Sequence, residues 1–361
     1  MPTLSLSMIV KNEAATIEQV LACAKTFCDE LIVVDTGSTD NTVELAERMG
    51  AKVYHFEWVD DFSVARNFAL SKCTGDWFIW LDADDTITEE NQFKILQLKE
   101  TVLSDALDGI FMPYRYAFNQ AGACVNTIIR ERLVRRVDGL QWVHPIHEGL
   151  ILDANRCILR SDITIDHRPL PDKDIRRGGR NLHVLEKAME RGNNHPRTLY
   201  YHGLELRMVG QYERSIVSYL KYFEVCATQP EWEIYDSYIG IAESYKQLGK
   251  SDNSIQYLLK AVQLDSRRAE AFNHLGFIYM DREDCDKALP YFLAASNLQK
   301  PVSDGNINDQ DYTWIPNDYA SLCFFRLGNS VKAIEYALKG LSTHPNKVQL
   351  IKNLHAFVDG L

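Results

Sequence analysis

Apolar and polar positions divide the chain into two regimes. In the first, short apolar runs alternate with stretches whose apolar residues recur at helical spacing. Leu4–Val10 reads as a strand, and Ile17, Val20, Leu21, Ala24 and Phe27 form the buried stripe of a helix over about 14–27. Glu30–Asp35 predicts a second strand, 42–49 a helix closed by Gly50, and 51–54 a third strand. A helix over 62–71 leads to the apolar run Phe78-Ile79-Trp80-Leu81, bounded by the turn signal Gly75-Asp76, and a further helix follows over 87–103. This alternation predicts an α/β domain with a mostly parallel, doubly wound sheet. Beyond Asp108 the pattern changes to strands over 109–116 and 124–137, joined at the turn signal Gln120-Ala121-Gly122, and a last strand over 163–167 that ends at His167.

The second regime is helical and repetitive. Tyr238, Tyr245, Ser254, Leu258 and Ala261 are matched 34 residues later by Phe272, Tyr279, Ala288, Phe292 and Ala295, with Leu275-Gly276 at the inter-helix contact. Degenerate copies begin near Pro196 and Asp311, a polar insert spans 301–311, and 348–361 predicts a capping helix. The expected organisation is an α/β domain over 1–170, a linking helix within 171–194 (174–192 by its pattern), and an all-α helical-repeat solenoid over 195–361.

Candidate chemistry gathers where the predicted strands end. Phe78–Leu81 runs out into Asp82-Ala83-Asp84-Asp85, and parallel sheets bind ligands at the carboxyl ends of their strands. Three carboxylates this close favour a divalent cation, and hard oxygen ligands suit magnesium or manganese. The plainer reading is that Asp84 or Asp85 caps the next helix. Two other strand ends, Lys11-Asn12-Glu13 and Asp35-Thr36-Gly37-Ser38, converge on the same edge and predict a nucleotide site. No GxxxxGK[ST] or GxGxxG loop is present, so phosphates would fall to a metal and to arginine.

Composition narrows the class. Hydrophobic residues at 46% and charged residues at 25% are ordinary globular values, and a net charge of −11 argues against a nucleic-acid partner. No apolar run approaches the ~20 residues of a membrane span. Met1–Val10 lacks a basic segment and a cleavage site, and so reads as a strand rather than a signal peptide. The eight cysteines include no CxxC pair, which fits reduced thiols and a cytoplasmic location.

Four segments, SLSMIVKNEA, LIVVDTGSTDNT, SVARNFAL and WFIWLDADD, resemble in order the signatures of family 2 glycosyltransferases, most strongly over residues 3–100. The helical repeats resemble tetratricopeptide repeats, and the whole is similar to bacterial peptide and protein glycosyltransferases, including the peptide S-glycosyltransferase type. The resemblance implies a GT-A fold and an inverting, metal-dependent transfer from a nucleotide-diphosphate sugar, uridine-linked by expectation. The repeats would take a protein or peptide acceptor or mediate homo-oligomerisation.

By the same resemblance Asp35 would accept a hydrogen bond from the base, while Val10, Asn12 and Glu13 line base and ribose. Arg66 would reach the base or diphosphate, Asp82 with Ala83 the ribose or sugar, and Asp84 the Mn2+ or Mg2+ ion. For Asp35 the plainer reading is capping of its own turn, and for Arg66 a solvated helix face. Trp142-Val143-His144-Pro145-Ile146-His147-Glu148 resembles the His-Glu element of the repeat-bearing subgroup, making His147 an expected metal ligand and His144 a lesser one. Pro145 disfavours a central strand there, so a loop is expected. With Asp35, Asp82 and Asp84 assigned, Glu148 is the expected base, against the alternative that it only pairs with an arginine of 130–136. Two other classes remain: a repeat scaffold with an inactive transferase domain, and a sugar nucleotidyltransferase, which would want a Gly-rich loop where Lys11-Asn12-Glu13 stands.

Overall fold

The structure, a computed structural model, describes residues 1–104, 106–118, 122, 124–169, 179–301 and 307–359. It divides into two units, Met1–Asn194 and His195–Leu361. Among the described residues no helix is long and apolar enough to cross a membrane.

In the first unit β1 (Leu4–Val10), β2 (Glu30–Asp35), β3 (Lys52–His55) and β4 (Trp77–Trp80) form a parallel half-sheet in the order β3-β2-β1-β4. The helices α1 (Ile17–Ala24), α2 (Thr42–Arg48) and α3 (Phe62–Lys72) supply the crossovers that parallel neighbours require. Beyond β4 the sheet turns mixed. After β5 (Asp85–Thr86) and α4 (Glu89–Thr101), the long pair β6 (Gly109–Phe118) and β7 (Cys124–Arg135) is antiparallel, and β7 lies against β4. The expected turn at Gln120-Ala121-Gly122 lies, apart from Gly122, outside the described residues. Two short strands form a separate hairpin, β8 (Trp142–Val143) pairing with β9 (Gly149–Leu150), and β10 (Cys157–Leu159) joins β6 of the main sheet. β11 (Ile165–His167) lies parallel to β6 and antiparallel to β5, setting His167 opposite Asp85.

The two-residue period of β4 sorts its side chains between two cores. Trp77, Ile79 and Leu81 join Leu4, Leu6 and Met8 of β1 beneath α1 and α4, with Ile17, Leu21, Ile95 and Leu98. Phe78 and Trp80 point the other way, among Leu70, Val134 and Trp142. Trp80 thereby sits below α3 and the 142–148 segment, where the strand ends. The β6–β7 ladder slips between Ile110, opposite Leu133, and Phe111, opposite Glu131, so that Arg132 is the extra residue of a bulge.

The cap of α4 is Thr88, whose hydroxyl accepts from the Asn91 amide at 3.3 Å. Neither Asp84 nor Asp85 caps it, so the plainer reading of the acidic run is set aside. Of the linking helix expected over 174–192, residues 174–178 lie outside the described residues, and α5 spans Arg180–Glu190.

The second unit is built of antiparallel helix pairs: α6 (Pro196–Met208) with α7 (Tyr212–Val225), α8 (Glu231–Gln247) with α9 (Ser251–Leu264), α10 (Ala269–Asp281) with α11 (Cys285–Ser296), and α12 (Trp314–Arg326) with α13 (Ser330–Thr343), followed by α14 (Val348–Asp359). Of the expected insert over 301–311, residues 302–306 lie outside the described residues. In two of the pairs a large ring lies on a glycine of the partner helix: Tyr219 on Gly203, and Phe292 on Gly276. Phe292 of α11 lies on Gly276 of α10, where a Cβ would stand 2.5 Å from the ring's Cζ. Gly276→Ala gains about 1 kcal/mol of helix propensity but overpacks a rigid ring at about 1–3 kcal/mol. We expect a lower urea midpoint for the unfolding of this unit, and an unchanged midpoint would contradict the packing argument.

Candidate active site

A cleft of about 470 Å³ opens at the carboxyl ends of β1 and β4. Of the site residues expected from the sequence, Val10, Asn12, Glu13, Arg66, Asp82, Ala83, Asp84, His147 and Glu148 line it, and Asp35 and the lesser candidate His144 do not. The turn after β1 is locked to the turn after β2. Asn12 adopts a left-handed backbone (φ 56°), donates its amide to Ser38 Oγ at 2.9 Å and accepts from the Thr39 amide at 2.7 Å. The Glu13 amide donates to Thr42 Oγ1 at 2.7 Å. Asp35 is buried and follows its plainer reading, since its carboxylate accepts from the amides of Gly37 at 3.2 Å and Ser38 at 3.0 Å. It caps its own turn, and Thr36 is the residue of β2's end that reaches the cleft.

Arg66 is buried, not the solvated helix residue its position alone suggests. Its Nη2 donates to Asp82 Oδ1 at 2.9 Å and its Nε donates to Glu148 Oε1. The guanidinium lies 4.8 Å from the Trp80 ring centroid and 5.3 Å from that of Trp142, which meet edge to face. Glu148 therefore pairs with Arg66 rather than through its side chain with 130–136, although Arg130 Nη2 does donate to its main-chain carbonyl at 2.9 Å. Burial acts to raise the Glu148 carboxyl, but the Arg66 charge outweighs it and holds the group below the usual carboxylate value. Asp82 is balanced alike: burial raises it, and the charges of Arg66, Arg132 and His167 hold it far below the ordinary range.

Residues 144–148 form a loop between the short strands β8 and β9, and two of them, His144 (φ 75°) and His147 (φ 48°), take the left-handed conformation. Such a backbone costs about 1–3 kcal/mol at a residue with a Cβ and persists only where its surroundings enforce it. His147 is exposed at the cleft.

Two residues that the sequence left without a firm role complete the acidic floor. Asp85 is fully buried, and its carboxylate accepts from the Asp82 amide at 3.0 Å, Tyr114 Oη at 2.8 Å and Arg132 Nη1 at 3.2 Å. His167 Nδ1 stands 3.3 Å from Asp84 Oδ1 and 3.2 Å from Asp85 Oδ1. Burial acts to lower its pKa, but hydrogen bonds with these carboxylates lift it to about 9; a cation held by the same carboxylates would oppose that lift and favour the neutral ring that can ligate. Asp82, Asp85 and His167 each offer a ligand atom within 4.8 Å of the others, a set that includes neither Asp84 nor His147. The only sequence signal for His167 was its place at the end of the last strand; the β5–β11 pairing that sets it against Asp85 joins residues far apart in the chain.

Comparison with known proteins agrees with this architecture. Residues 5–145 match the model of the glycosyl transferase family 2, and residues 235–268 match a tetratricopeptide repeat. The chain is similar to a TPR repeat-containing protein of Synechococcus elongatus, 50% identical over 154 residues, which cover 41% of this chain and 35% of that protein. It is similar to the SPbeta prophage-derived glycosyltransferase SunS of Bacillus subtilis, 27% identical over 224 residues covering 61% of this chain and 53% of SunS. An uncharacterized glycosyltransferase of Rickettsia felis is 42% identical over 95 residues, covering 26% and 33%. The chain thus spans about half or less of the length of these relatives. Four signatures in order, a cleft at the strand ends and these matches place a glycosyltransferase family 2 domain at the N-terminus of this chain, followed by a helical part that carries a tetratricopeptide repeat.

Proposed function

We propose that the protein is an inverting glycosyltransferase that moves a sugar from a nucleotide-diphosphate sugar, uridine-linked by preference, to a protein or peptide acceptor. The observation that carries this reading is the sharing of one cleft by an acidic floor and the Arg66–Glu148 pair. The donor set of two carboxylates and an imidazole suits a hard or borderline divalent ion such as Mn2+. Asp82, Asp85 and His167 would hold it with Asp84 beside them, and when bound it supplies charge neutralisation for a departing diphosphate. Val10, Asn12, Glu13 and Thr36 line the side on which a nucleoside fits. Lys11, Arg130 and Arg180 also line the cleft and bring cationic charge to phosphate oxygens.

Glu148 is the proposed base. Kept ionised by Arg66, it stands ready to accept the proton that the acceptor nucleophile loses as it attacks the anomeric carbon. The helical pairs would bind the protein or peptide acceptor, or a second copy of the chain, through the surface that stacked repeats expose. The test is hydrolysis of a panel of sugar nucleotides without acceptor, with and without manganese. One nucleoside diphosphate sugar should be turned over faster with the metal, and inertness towards the whole panel would overturn the reading.

A further inference from the structure

Two consecutive residues of α3 hold the two ends of one loop. Arg66 takes the Glu148 carboxylate, and Asn67 takes the main chain of Trp142. The Asn67 carboxamide engages both polar groups of that residue: Oδ1 accepts from the Trp142 amide at 2.7 Å, and Nδ2 donates to its carbonyl at 2.9 Å. A carboxamide is the side chain that offers donor and acceptor side by side, as a neighbouring strand would. Aspartate could accept from the amide but would face the carbonyl with a second lone-pair oxygen, and alanine would remove this acceptor and this donor together.

The loop has further ties: β8 and β9 pair at its base, Trp142 opposite Leu150 and Val143 opposite Gly149. The Phe62 amide at the start of α3 donates to the Pro145 carbonyl at 2.9 Å, and Arg130 donates to the Glu148 carbonyl. The helix that carries these anchors is itself fixed, since Asp61 caps it by accepting from the amides of Ser63 at 2.9 Å and Val64 at 3.3 Å. Between the anchors lie the two left-handed histidines. A loop containing such residues relaxes unless its ends are pinned. Arg66 and Arg130 line the cleft, whereas Asn67 does not.

We propose that Asn67 is a positioning residue for the transfer step: by fixing Trp142 it sets the path of the loop that presents Glu148 to the acceptor. The inference rests on the glycosyltransferase reading above. It accounts for an asparagine next to the arginine in SVARNFAL, a place where the cleft itself makes no demand.

The test uses the full chain and its Asn67→Ala and Asn67→Asp variants, with donor affinity, kcat, donor KM and hydrogen exchange at the Trp142 amide measured for each. Asn67→Ala should lower kcat about 10–100-fold, because a displacement of about 1 Å at a reacting group has that scale of effect. Donor affinity and KM should stay within about threefold, since Asn67 touches no donor surface. Exchange at the Trp142 amide should quicken about tenfold or more, as for the loss of one hydrogen bond. Asn67→Asp keeps the acceptor for that amide and should fall between wild type and Asn67→Ala in both kcat and exchange; it also serves if the alanine variant does not fold. A kcat within twofold of wild type, despite faster exchange, overturns the proposal. So does a parallel loss of donor affinity and kcat, which marks a general structural role. If the wild-type chain turns over no sugar nucleotide, the functional reading fails separately, and unchanged exchange at Trp142 would refute the anchoring role by itself.

Discussion

Glu148→Gln is expected to lower transfer by about 10²–10⁴-fold while leaving donor affinity nearly unchanged, the range over which a positioned general base contributes. The substitution keeps the size of the side chain and its ability to accept a hydrogen bond from Arg66 Nε, but it cannot take a proton. Two features make the outcome interpretable. Arg66 holds the Glu148 carboxyl below its ordinary range, so loss of activity near pH 7 cannot be ascribed to protonation of Glu148 in the wild type. Asp82, the other carboxylate on the same guanidinium, keeps its partner in the variant. Steady-state kinetics with a competent acceptor, paired with donor titration, separates the outcomes. If turnover survives and affinity falls, Glu148 is a structural partner of Arg66 and the base lies elsewhere.

Arg66→Ala should have the largest effect on stability. It removes the one guanidinium that bonds both Asp82 and Glu148, and the space it vacates lies between Trp80 and Trp142. Breaking a buried pair by deleting one partner costs about 3–5 kcal/mol. The second consequence is a change in pH dependence. Burial alone raises a carboxyl, and in wild type the arginine overrides that tendency. Without it the Glu148 pKa should climb above its ordinary value, and activity should then be lost as pH falls through the raised value. Wild type, with its depressed pKa, should show no such limb near neutrality. Arg66→Lys restores the charge without the planar fork and should recover part of the stability but not both hydrogen bonds. Urea denaturation and a pH–rate profile of the residual activity test both claims; an unchanged midpoint would show that the arginine is dispensable to the fold.

What the sequence disclosed depended on how far apart the interacting residues lie. Local signals were legible: the helical stripe of Ile17, Val20, Leu21 and Ala24, the turn chemistry after Asp35, and the apolar run entering the acidic end of β4 all depend on neighbours a few residues away. The loop was legible over 144–148, because Pro145 cannot donate to a ladder, but not the short strand Trp142–Val143 that leads into it. The cleft came through as a set of strand ends, because a parallel sheet brings its carboxyl ends to one edge whatever the register. Pairings across the sheet were not legible. Nothing local in Ile165–His167 announces that β11 runs antiparallel to β5 and lays His167 on Asp85, and nothing in 62–71 shows that Arg66 faces inward. Asp35 is the reverse case, where the ordinary chemistry of an aspartate before a glycine turn accounts for the geometry.

The bulge at Arg132 bears on which deletions β7 of this chain can absorb. Side chains on a strand alternate between faces, so one extra residue resets every position beyond it. Arg130 reaches the Trp80 ring and the Glu148 carbonyl from beyond that point, while Leu133 and Val134 before it pack into opposite cores. A chain that lost Arg132 would gain a more regular ladder, with Leu133 still opposite Ile110 and Glu131 opposite Phe111, but would lose the guanidinium that donates to Asp85 and to the Trp80 carbonyl. The irregularity is therefore a phase marker between the half of β7 that builds the core and the half that serves the site.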